Sequence, residues 1–158
     1  MNEVQMKCET TIGTIFISAT SDYITRIFWT KAPVSFVSLD SRTKEAILIK
    51  KAKKQIDEYL AGKRKEFDLP IFYEGTTFQK EVWRELCNIP YGKTINYSEL
   101  AIKVKRPKAV RAVGSANGKN PLSIVVPCHR VIGKSGELSG YAGGVKIKEA
   151  LLKLEGLK

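Results

Sequence analysis

Residues 124–133 read Ile-Val-Val-Pro-Cys-His-Arg-Val-Ile-Gly, an apolar run that is broken at its centre by a thiol, an imidazole and a guanidinium. The valines and isoleucines predict a buried strand. Pro127 cannot donate a hydrogen bond to a sheet, so regular strand pairing should stop just before Cys128. The stretch therefore predicts a strand that leads into an irregular segment carrying reactive side chains.

Cys128 and His129 form a candidate reactive pair. His129 is the only histidine among the 158 residues, and it directly follows the thiol. A cysteine becomes a nucleophile when a neighbouring base or positive charge favours its thiolate. Free cysteine is also often buried simply as a small hydrophobic side chain, so this stretch alone leaves a structural Cys128 as the alternative.

The bulk composition is that of a globular protein. With 158 residues, 43% of them apolar, the chain can bury a core as one domain or as two small ones. It has no apolar run long enough to cross a bilayer and no signal peptide at its start, so we expect a soluble, intracellular, cytoplasmic protein. The cysteines are an odd number at wide spacing, which argues against a disulfide framework and a zinc site: Cys8, Cys87 and Cys128.

Positive charge is concentrated in the second half of the chain. The net charge is +11, of which residues 1–70 contribute +3 and residues 71–158 contribute +8. One segment without any acidic residue contains Lys103, Lys105, Arg106, Lys108, Arg111, Lys119, Arg130 and Lys134. Such a local excess suits a polyanion, most simply a phosphate backbone, although a solvated lysine-rich face is the alternative.

The first half predicts a small antiparallel sheet followed by one helix. Alternating residues predict strands at 8–11, 14–18 and 23–29. After a turn-rich segment, apolar residues at helical spacing predict a helix from about Thr43 that stops at Gly62. A charged linker and the change in net charge then place a boundary near residue 73, which gives domains 1–73 and 74–158.

The second half predicts several helices. Thr77 is the expected cap of the first, and Cys87 near its end is assigned to the core. Asn96 and Glu99 have the spacing of a capping box at the start of the second. Pro107 is expected at the first position of the third helix, so the second and third together suggest a helix-turn-helix.

The third helix is built of small residues around Arg111 and is expected to continue to Asn117, with Gly118 as a left-handed cap. A glycine-rich loop at 140–144 precedes a final helix that ends at Glu155, with inward residues Ile147, Leu151 and Leu154. The predicted fold class is therefore α/β (α+β): an antiparallel sheet with a helix, followed by a mainly helical domain.

The order of these elements resembles the O6-alkylguanine-DNA alkyltransferases, also called methylated-DNA–protein-cysteine methyltransferases. The resemblance is carried by a helix-turn-helix, Asn120-Pro121, Pro127-Cys128-His129-Arg130, a Gly-Tyr-x-Gly-Gly loop and a terminal Glu-Gly. It is close over residues 77–156 and holds in outline before them. It implies a DNA repair protein that flips an O6-alkylguanine from the minor groove of double-stranded DNA and takes the alkyl group irreversibly, once per molecule. The resemblance implies a monomer without a cofactor, and it leaves activity on O4-alkylthymine open. Zinc ligands of some family members have no convincing counterparts here, since only Cys8 could correspond and the first half contains no histidine, so no metal is expected.

The resemblance also assigns roles at the reactive centre. Cys128 would be the nucleophile, on which His129 acts through a water while Glu155 orients the imidazole. Tyr97 would hydrogen-bond the flipped base, with a core tyrosine at a helix start as the alternative. Arg130 would be structural, supporting the loops around the pocket.

The remaining implied residues contact DNA or the base. Arg111 would replace the extruded nucleotide in the base stack, and the small Ala112 and Ser115 would let the helix enter the minor groove. The others are Asn120, which ties this helix to the reactive strand, Tyr141, which lines the pocket, and the backbone of Cys128, Val131 and Ala142, which reads the guanine edge. Ala142 and Ser123 depart from residues common in the family, serine and proline respectively, and the second change affects the expected pocket width.

Three other functions remain to be distinguished. An alkyltransferase-like binding protein would lack the reactive cysteine, so Cys128 argues against it. A helix-turn-helix regulator would bind DNA without covalent change, and a thiol hydrolase would turn over an ester or amide repeatedly.

Overall fold

The chain folds into two compact units divided between Tyr73 and Glu74, in a computed structural model that describes residues 2–157. Within that range, the first unit holds a four-stranded sheet and one long helix, and the second holds four α-helices and a two-stranded ladder. The predicted α/β (α+β) fold class is confirmed. None of the helices in this range combines the length and hydrophobicity needed to cross a bilayer.

The first three strands form the predicted antiparallel meander. They are β1 (Val4–Thr10), β2 (Gly13–Ala19) and β3 (Ile24–Phe28), with β2 between the other two. Helix α1 (Lys44–Leu60) begins at the predicted cap, Thr43, and packs on β1 and β2. Cys8 is buried beneath it in the core of this unit.

Two backbone pairings of the first unit were not predicted. Strand β4 (Ser35–Phe36) pairs parallel with β1, inside a segment expected to contain only turns. The cause is Gln5, a buried amide on β1, which hydrogen-bonds the backbone of residues 32–34 and holds that segment at the sheet edge. In addition, Ile71 forms a parallel bridge to Ile24 within the predicted linker region.

Helix α2 (Thr77–Leu86) opens the second unit, and two details differ from the prediction. Its cap is Thr76, not Thr77, because the Thr76 side chain and Gln79 form a reciprocal capping box. Cys87, predicted to be core, is exposed because the helix ends at Leu86 and Cys87 caps it.

A short parallel ladder joins two distant parts of the second unit. Strand β5 (Ile95–Asn96) pairs with β6 (Val131–Ile132). Helix α3 (Tyr97–Lys103) follows β5 directly, and the predicted capping box of Asn96 and Glu99 is confirmed. Because the two strands run parallel, the segments that precede β5 and β6 lie at one end of the ladder, and α3 begins at the other end.

Helix α4 (Val110–Gly118) begins three residues later than predicted. Pro107 lies in the preceding turn, because Lys105 adopts a left-handed backbone with φ of 63° and the next residues close a further turn. Gly118 is the last helical residue instead of a left-handed cap; Lys119 occupies the cap with φ of −98°. The assignment of α3 and α4 as a helix-turn-helix stays a prediction.

The predicted strand at 124–126 is wrong. Ile124 has a φ of 74°, which reverses the backbone locally. The N–H groups of Val125 and Val126 then bond to carbonyls two and four residues back. The apolar run therefore forms consecutive buried turns, and these local hydrogen bonds are incompatible with an extended strand paired in a sheet.

Candidate active site

Cys128 begins a single 3₁₀ turn, Cys128–Arg130, that runs directly into β6. Its N–H donates to the carbonyl of Val126 at 2.8 Å. Only 6% of Cys128 is exposed, and His129 is fully buried. The turn follows directly after Pro127, where regular strand pairing was expected to stop.

Asn120 lies between the end of α4 and the reactive turn. Its Nδ2 donates to the Val126 carbonyl at 2.7 Å, and its Oδ1 accepts from the Leu122 N–H at 2.9 Å. Both ends of the buried amide therefore hold the consecutive turns that lead to Cys128.

Glu155 is the C-terminal cap residue of helix α5 (Val145–Leu154), and its buried carboxylate accepts several hydrogen bonds. Its Oε2 lies 2.8 Å from His129 Nε2. Arg130 donates to both carboxylate oxygens, from Nε at 2.9 Å and from Nη2 at 3.0 Å. The backbone N–H of Gly92 donates to Oε1 at 3.0 Å. One carboxylate thus orients both side chains that follow the thiol.

The charge state of this cluster fixes which histidine nitrogen carries the proton. Burial alone would raise the pKa of the Glu155 carboxyl, but hydrogen bonds from His129, Arg130 and Gly92 hold it well below its usual range. An ionised carboxylate only accepts, so we assign the donated proton to His129 Nε2. Burial lowers the pKa of His129 despite the opposing effect of Glu155, so the imidazole is neutral with its acceptor lone pair on Nδ1.

The thiol itself is protonated at neutral pH. Burial raises the pKa of Cys128 to about 11, although a hydrogen bond with Asn120 and the positive charge of Lys148 act in the opposite direction. A neutral thiol is a poor nucleophile. A reaction at this sulfur would require removal of the proton, which a neutral histidine can perform.

Tyr97 and Lys148 meet on one carbonyl. The Tyr97 hydroxyl donates to the Ser139 carbonyl at 3.3 Å, and Lys148 Nζ donates to the same oxygen at 2.9 Å. Lys148 is fully buried, and its Nζ lies 5.9 Å from the centre of the Tyr97 ring. These contacts join the start of α3, the loop before α5 and α5 itself.

The other residues predicted to line the pocket differ in burial. Tyr141 and Val131 are buried, whereas Ala142 is exposed. At Gly140, where φ is 66°, an added Cβ would lie 3.6 Å from the Tyr97 hydroxyl oxygen. The glycine-rich loop therefore approaches Tyr97 closely.

The residues predicted to contact DNA share the outer face of α4. Arg111, Ala112 and Ser115 are exposed. The opposite face is buried, and the Trp83 indole N–H donates to the Ala116 carbonyl at 2.8 Å, which fixes α4 against α2. Helix α4 contains no acidic residue, so its exposed face suits a polyanion.

Four residues of the site were missed by sequence reasoning or assigned only a supporting role. Arg130 was called structural, yet it shares the Glu155 carboxylate with His129. Lys148 was missed because Ile147 and Leu154 were taken as inward residues, whereas both are half-buried. Helical spacing could have predicted the burial of Lys148, since residues 148, 151, 152 and 155 share one helix face. No recognisable signal marked Gly92 or Asn117, whose Nδ2 donates to the Cys128 carbonyl at 3.4 Å.

Together these features are a buried thiol, a neutral histidine bonded to a buried carboxylate, and an exposed helix face that carries Arg111. Across residues 2–157, no group of three or more histidine, cysteine or acidic residues is placed to hold a metal ion. Two domain models of one family match the chain. The ribonuclease-like domain of 6-O-methylguanine DNA methyltransferase matches residues 5–73, and its DNA binding domain matches residues 77–157. The chain belongs to this family.

Individual relatives agree with this assignment. A methylated-DNA–protein-cysteine methyltransferase of Methanosarcina acetivorans is 45% identical over 148 residues, covering 94% of this chain and 95% of the relative. The constitutive enzyme of that name from Bacillus subtilis is 47% identical over 151 residues, covering 93% and 92%. A crystal structure of Mycobacterium tuberculosis OGT in complex with DNA is 38% identical, with a TM-score of 0.85 and coverage of 96% and 92%.

Proposed function

We propose that this protein repairs DNA by transferring the alkyl group of O6-alkylguanine to Cys128 Sγ. Membership of the 6-O-methylguanine DNA methyltransferase family makes it a methylated-DNA–protein-cysteine methyltransferase. The observation that carries the residue assignment is the buried Cys128 beside the pair formed by His129 and Glu155 at 2.8 Å.

The proton of the thiol leaves first in the proposed mechanism. His129 takes it at Nδ1 through a bridging water, and Glu155 stabilises the imidazolium that forms. The His129 pKa is lowered by burial, so the imidazole is in its basic form before the reaction. Arg130 holds the carboxylate in place throughout by its two hydrogen bonds.

The thiolate then attacks the saturated carbon attached to O6 of guanine. The carbon–oxygen bond breaks, a carbon–sulfur bond forms, and the electron pair stays on the leaving guanine. The Tyr97 hydroxyl is the donor assigned to that developing negative charge, and the proton that His129 took from the thiol is returned to give neutral guanine. Because the product is a thioether, which ordinary thiols do not cleave, each molecule acts once as a stoichiometric repair protein.

The lesion reaches the thiol by base flipping in this proposal. An alkylated base inside a duplex is stacked, and extruding it costs about a few kcal/mol. A side chain inserted into the vacated position recovers part of that cost. Arg111 is exposed on α4 between small residues, which suits entry into the minor groove. We further propose that the protein acts as a monomer on intracellular DNA.

Intact-protein mass spectrometry tests the proposal. After incubation with a duplex containing O6-methylguanine, one methyl group should appear on the peptide that contains Cys128. Cys128→Ser should bind the same duplex and gain no mass. Folded protein with unchanged mass would refute the proposal and favour a regulator that only binds DNA, and repeated turnover of an ester would favour a hydrolase. A duplex with O4-methylthymine, run in parallel, determines whether that lesion is also a substrate.

A further inference from the structure

The positive charge of the first unit is confined to helix α1 and the residues that flank it. Nine basic and three acidic residues give residues 42–65 a net charge of +6, whereas the remainder of residues 1–70 carries −3. The modest +3 of the first half is therefore the sum of a strongly basic segment and a weakly acidic remainder. Such an asymmetry concentrates positive potential at one element of the unit.

The exposed lysines of α1 form one stripe, which we call the α1 lysine face: Lys44, Lys51 and Lys54. At about 3.6 residues per turn, these positions fall on one side of the helix, and the opposite side packs on the sheet. Asp57 and Glu58, the acids that follow this face along α1, are paired with Lys53 and Arg64. Their negative charge is therefore balanced by cations outside the face.

The length of the α1 lysine face matches a run of phosphates. From Lys44 to Lys54 the helix rises about 15 Å, and duplex DNA carries about nine phosphate charges over that distance. Beside Lys54, α1 and the loop after it border an open depression of about 410 Å³. Its charged lining residues are Lys50, Lys53, Lys54, Asp57, Glu58 and Lys63. Because lysines outnumber acids there, the depression extends the positive face toward residue 63.

We propose that the α1 lysine face binds the phosphate backbone of duplex DNA, as a second contact surface in addition to the one proposed on α4. Contacts to phosphates need positive charge and reach, and they carry no sequence information. A membrane surface requires in addition an apolar helix face that inserts, and the apolar face of α1 is buried against the sheet. The family is one of DNA methyltransferases, so duplex DNA is the polyanion that this chain meets. The chemistry proposed for Cys128 does not depend on this contact.

Binding of an undamaged duplex, measured at salt concentrations from about 50 to 200 mM, tests the proposal. Each lysine that contacts a phosphate contributes about 0.9 to the magnitude of the slope of log affinity against log salt concentration. Lys51→Gln/Lys54→Gln should therefore reduce that magnitude by about two relative to the native protein. Lys51→Arg/Lys54→Arg, which keeps both charges, should retain the native slope.

Lys7→Gln/Lys31→Gln is the matched control, because it removes the same charge from exposed positions of the first unit outside α1. Lys7 precedes Cys8, which lies beneath α1, so its side chain is on the other face of the sheet. The control should keep the native slope. An equal reduction in the control would overturn the proposal in favour of an effect of net charge alone. An unchanged slope in Lys51→Gln/Lys54→Gln would overturn it in favour of a solvated lysine surface.

Two further measurements separate this proposal from its alternatives. Vesicles of phosphatidylcholine and phosphatidylserine should bind native protein and Lys51→Gln/Lys54→Gln alike; a loss confined to vesicles, with DNA binding unchanged, would assign the face to a membrane and overturn the proposal. At saturating protein, both glutamine variants should take one methyl group from an O6-methylguanine duplex as the native protein does. Native protein that binds DNA through α1 but gains no methyl group would refute the proposed function and support the α1 lysine face.

Discussion

Replacing Glu155 with glutamine removes the negative charge that holds the reactive cluster together. The side chain is fully buried, and it pairs with His129 and with Arg130. Glutamine keeps the shape but leaves the Arg130 guanidinium without an anionic partner. Removing one partner of a buried ion pair typically costs about 3–5 kcal/mol. We therefore expect Glu155→Gln to lower the free energy of unfolding at pH 7 by about that amount.

The size of this loss should depend on pH in a defined direction. The pKa of Glu155 is lower in the folded protein than its usual value, because the hydrogen bonds from His129 and Arg130 outweigh the effect of burial. A group of this kind stabilises the fold above its unfolded pKa, about 4.3 for glutamate. That contribution is lost as the pH falls from there through the lower folded pKa. The difference between native protein and variant should thus shrink progressively below about pH 4.

Urea unfolding from pH 3 to 8 measures the difference, with single-turnover methyl transfer measured on the same samples where they are folded. Transfer should slow about a hundredfold or more, because the negative charge of Glu155, which raises the His129 pKa and stabilises the imidazolium, is lost. The double variant Arg130→Met/Glu155→Gln should recover part of the stability, since it removes the unpaired charge, without recovering transfer. A stability loss below about 1 kcal/mol at pH 7, unchanged between pH 7 and 3, would refute the reasoning.

Three further variants address other parts of the second unit. Lys148→Met should leave the free energy of unfolding equal or higher, because a buried ammonium is costly, and it should shift the pH profile of Cys128 alkylation by iodoacetamide upward by about one unit. The control Lys146→Met, at an exposed position on the same helix, should change neither quantity. An unshifted profile in Lys148→Met would contradict the role of its charge. Gly92→Ala should destabilise by about 1–3 kcal/mol, because φ is 78° and the new Cβ would lie 3.3 Å from the Glu155 carbonyl. Urea unfolding should show a smaller loss for Gly136→Ala, which has φ of 87° but open space around it; equal losses would exclude crowding at Gly92. Arg111→Ala should slow transfer from duplex DNA at least tenfold and leave reaction with free O6-methylguanine base within about twofold, and equal losses on both substrates would argue against insertion into the base stack.

Local rules predicted most of the regular elements. The meander, α1 and the capping box of α3 follow from alternation, helical spacing and capping residues that lie within a few positions of one another. The errors occur where a contact distant in sequence decides the structure. Gln5 brings residues 32–34 to the sheet edge, and no local sequence pattern in that segment predicts this contact.

The candidate site shows the same limit. Cys128 and His129 could be found because a polar pair interrupts an apolar run. The contact between His129 and Glu155 spans 26 residues, and that between Gly92 and Glu155 spans 63. Lys148 reads as an ordinary surface residue until its neighbours on α5 are known to be buried. Spacing rules describe one helix at a time, so they could not bring these side chains to one carboxylate or one carbonyl.

The burial of Cys128 links the chemistry to the single use of the protein. An exposed, permanently ionised thiolate would react with any small electrophile, and under the proposed mechanism each such event would consume a molecule. In the structure the thiol is 6% exposed and its pKa is raised to about 11 by burial. The same burial makes the thiol unreactive without help, which the neutral His129 and its partner Glu155 are placed to provide. Protection and activation therefore come from different groups: the turns that end at Cys128 bury the thiol, and under the proposed mechanism its proton is removed by His129, which Glu155 at the end of α5 holds in place.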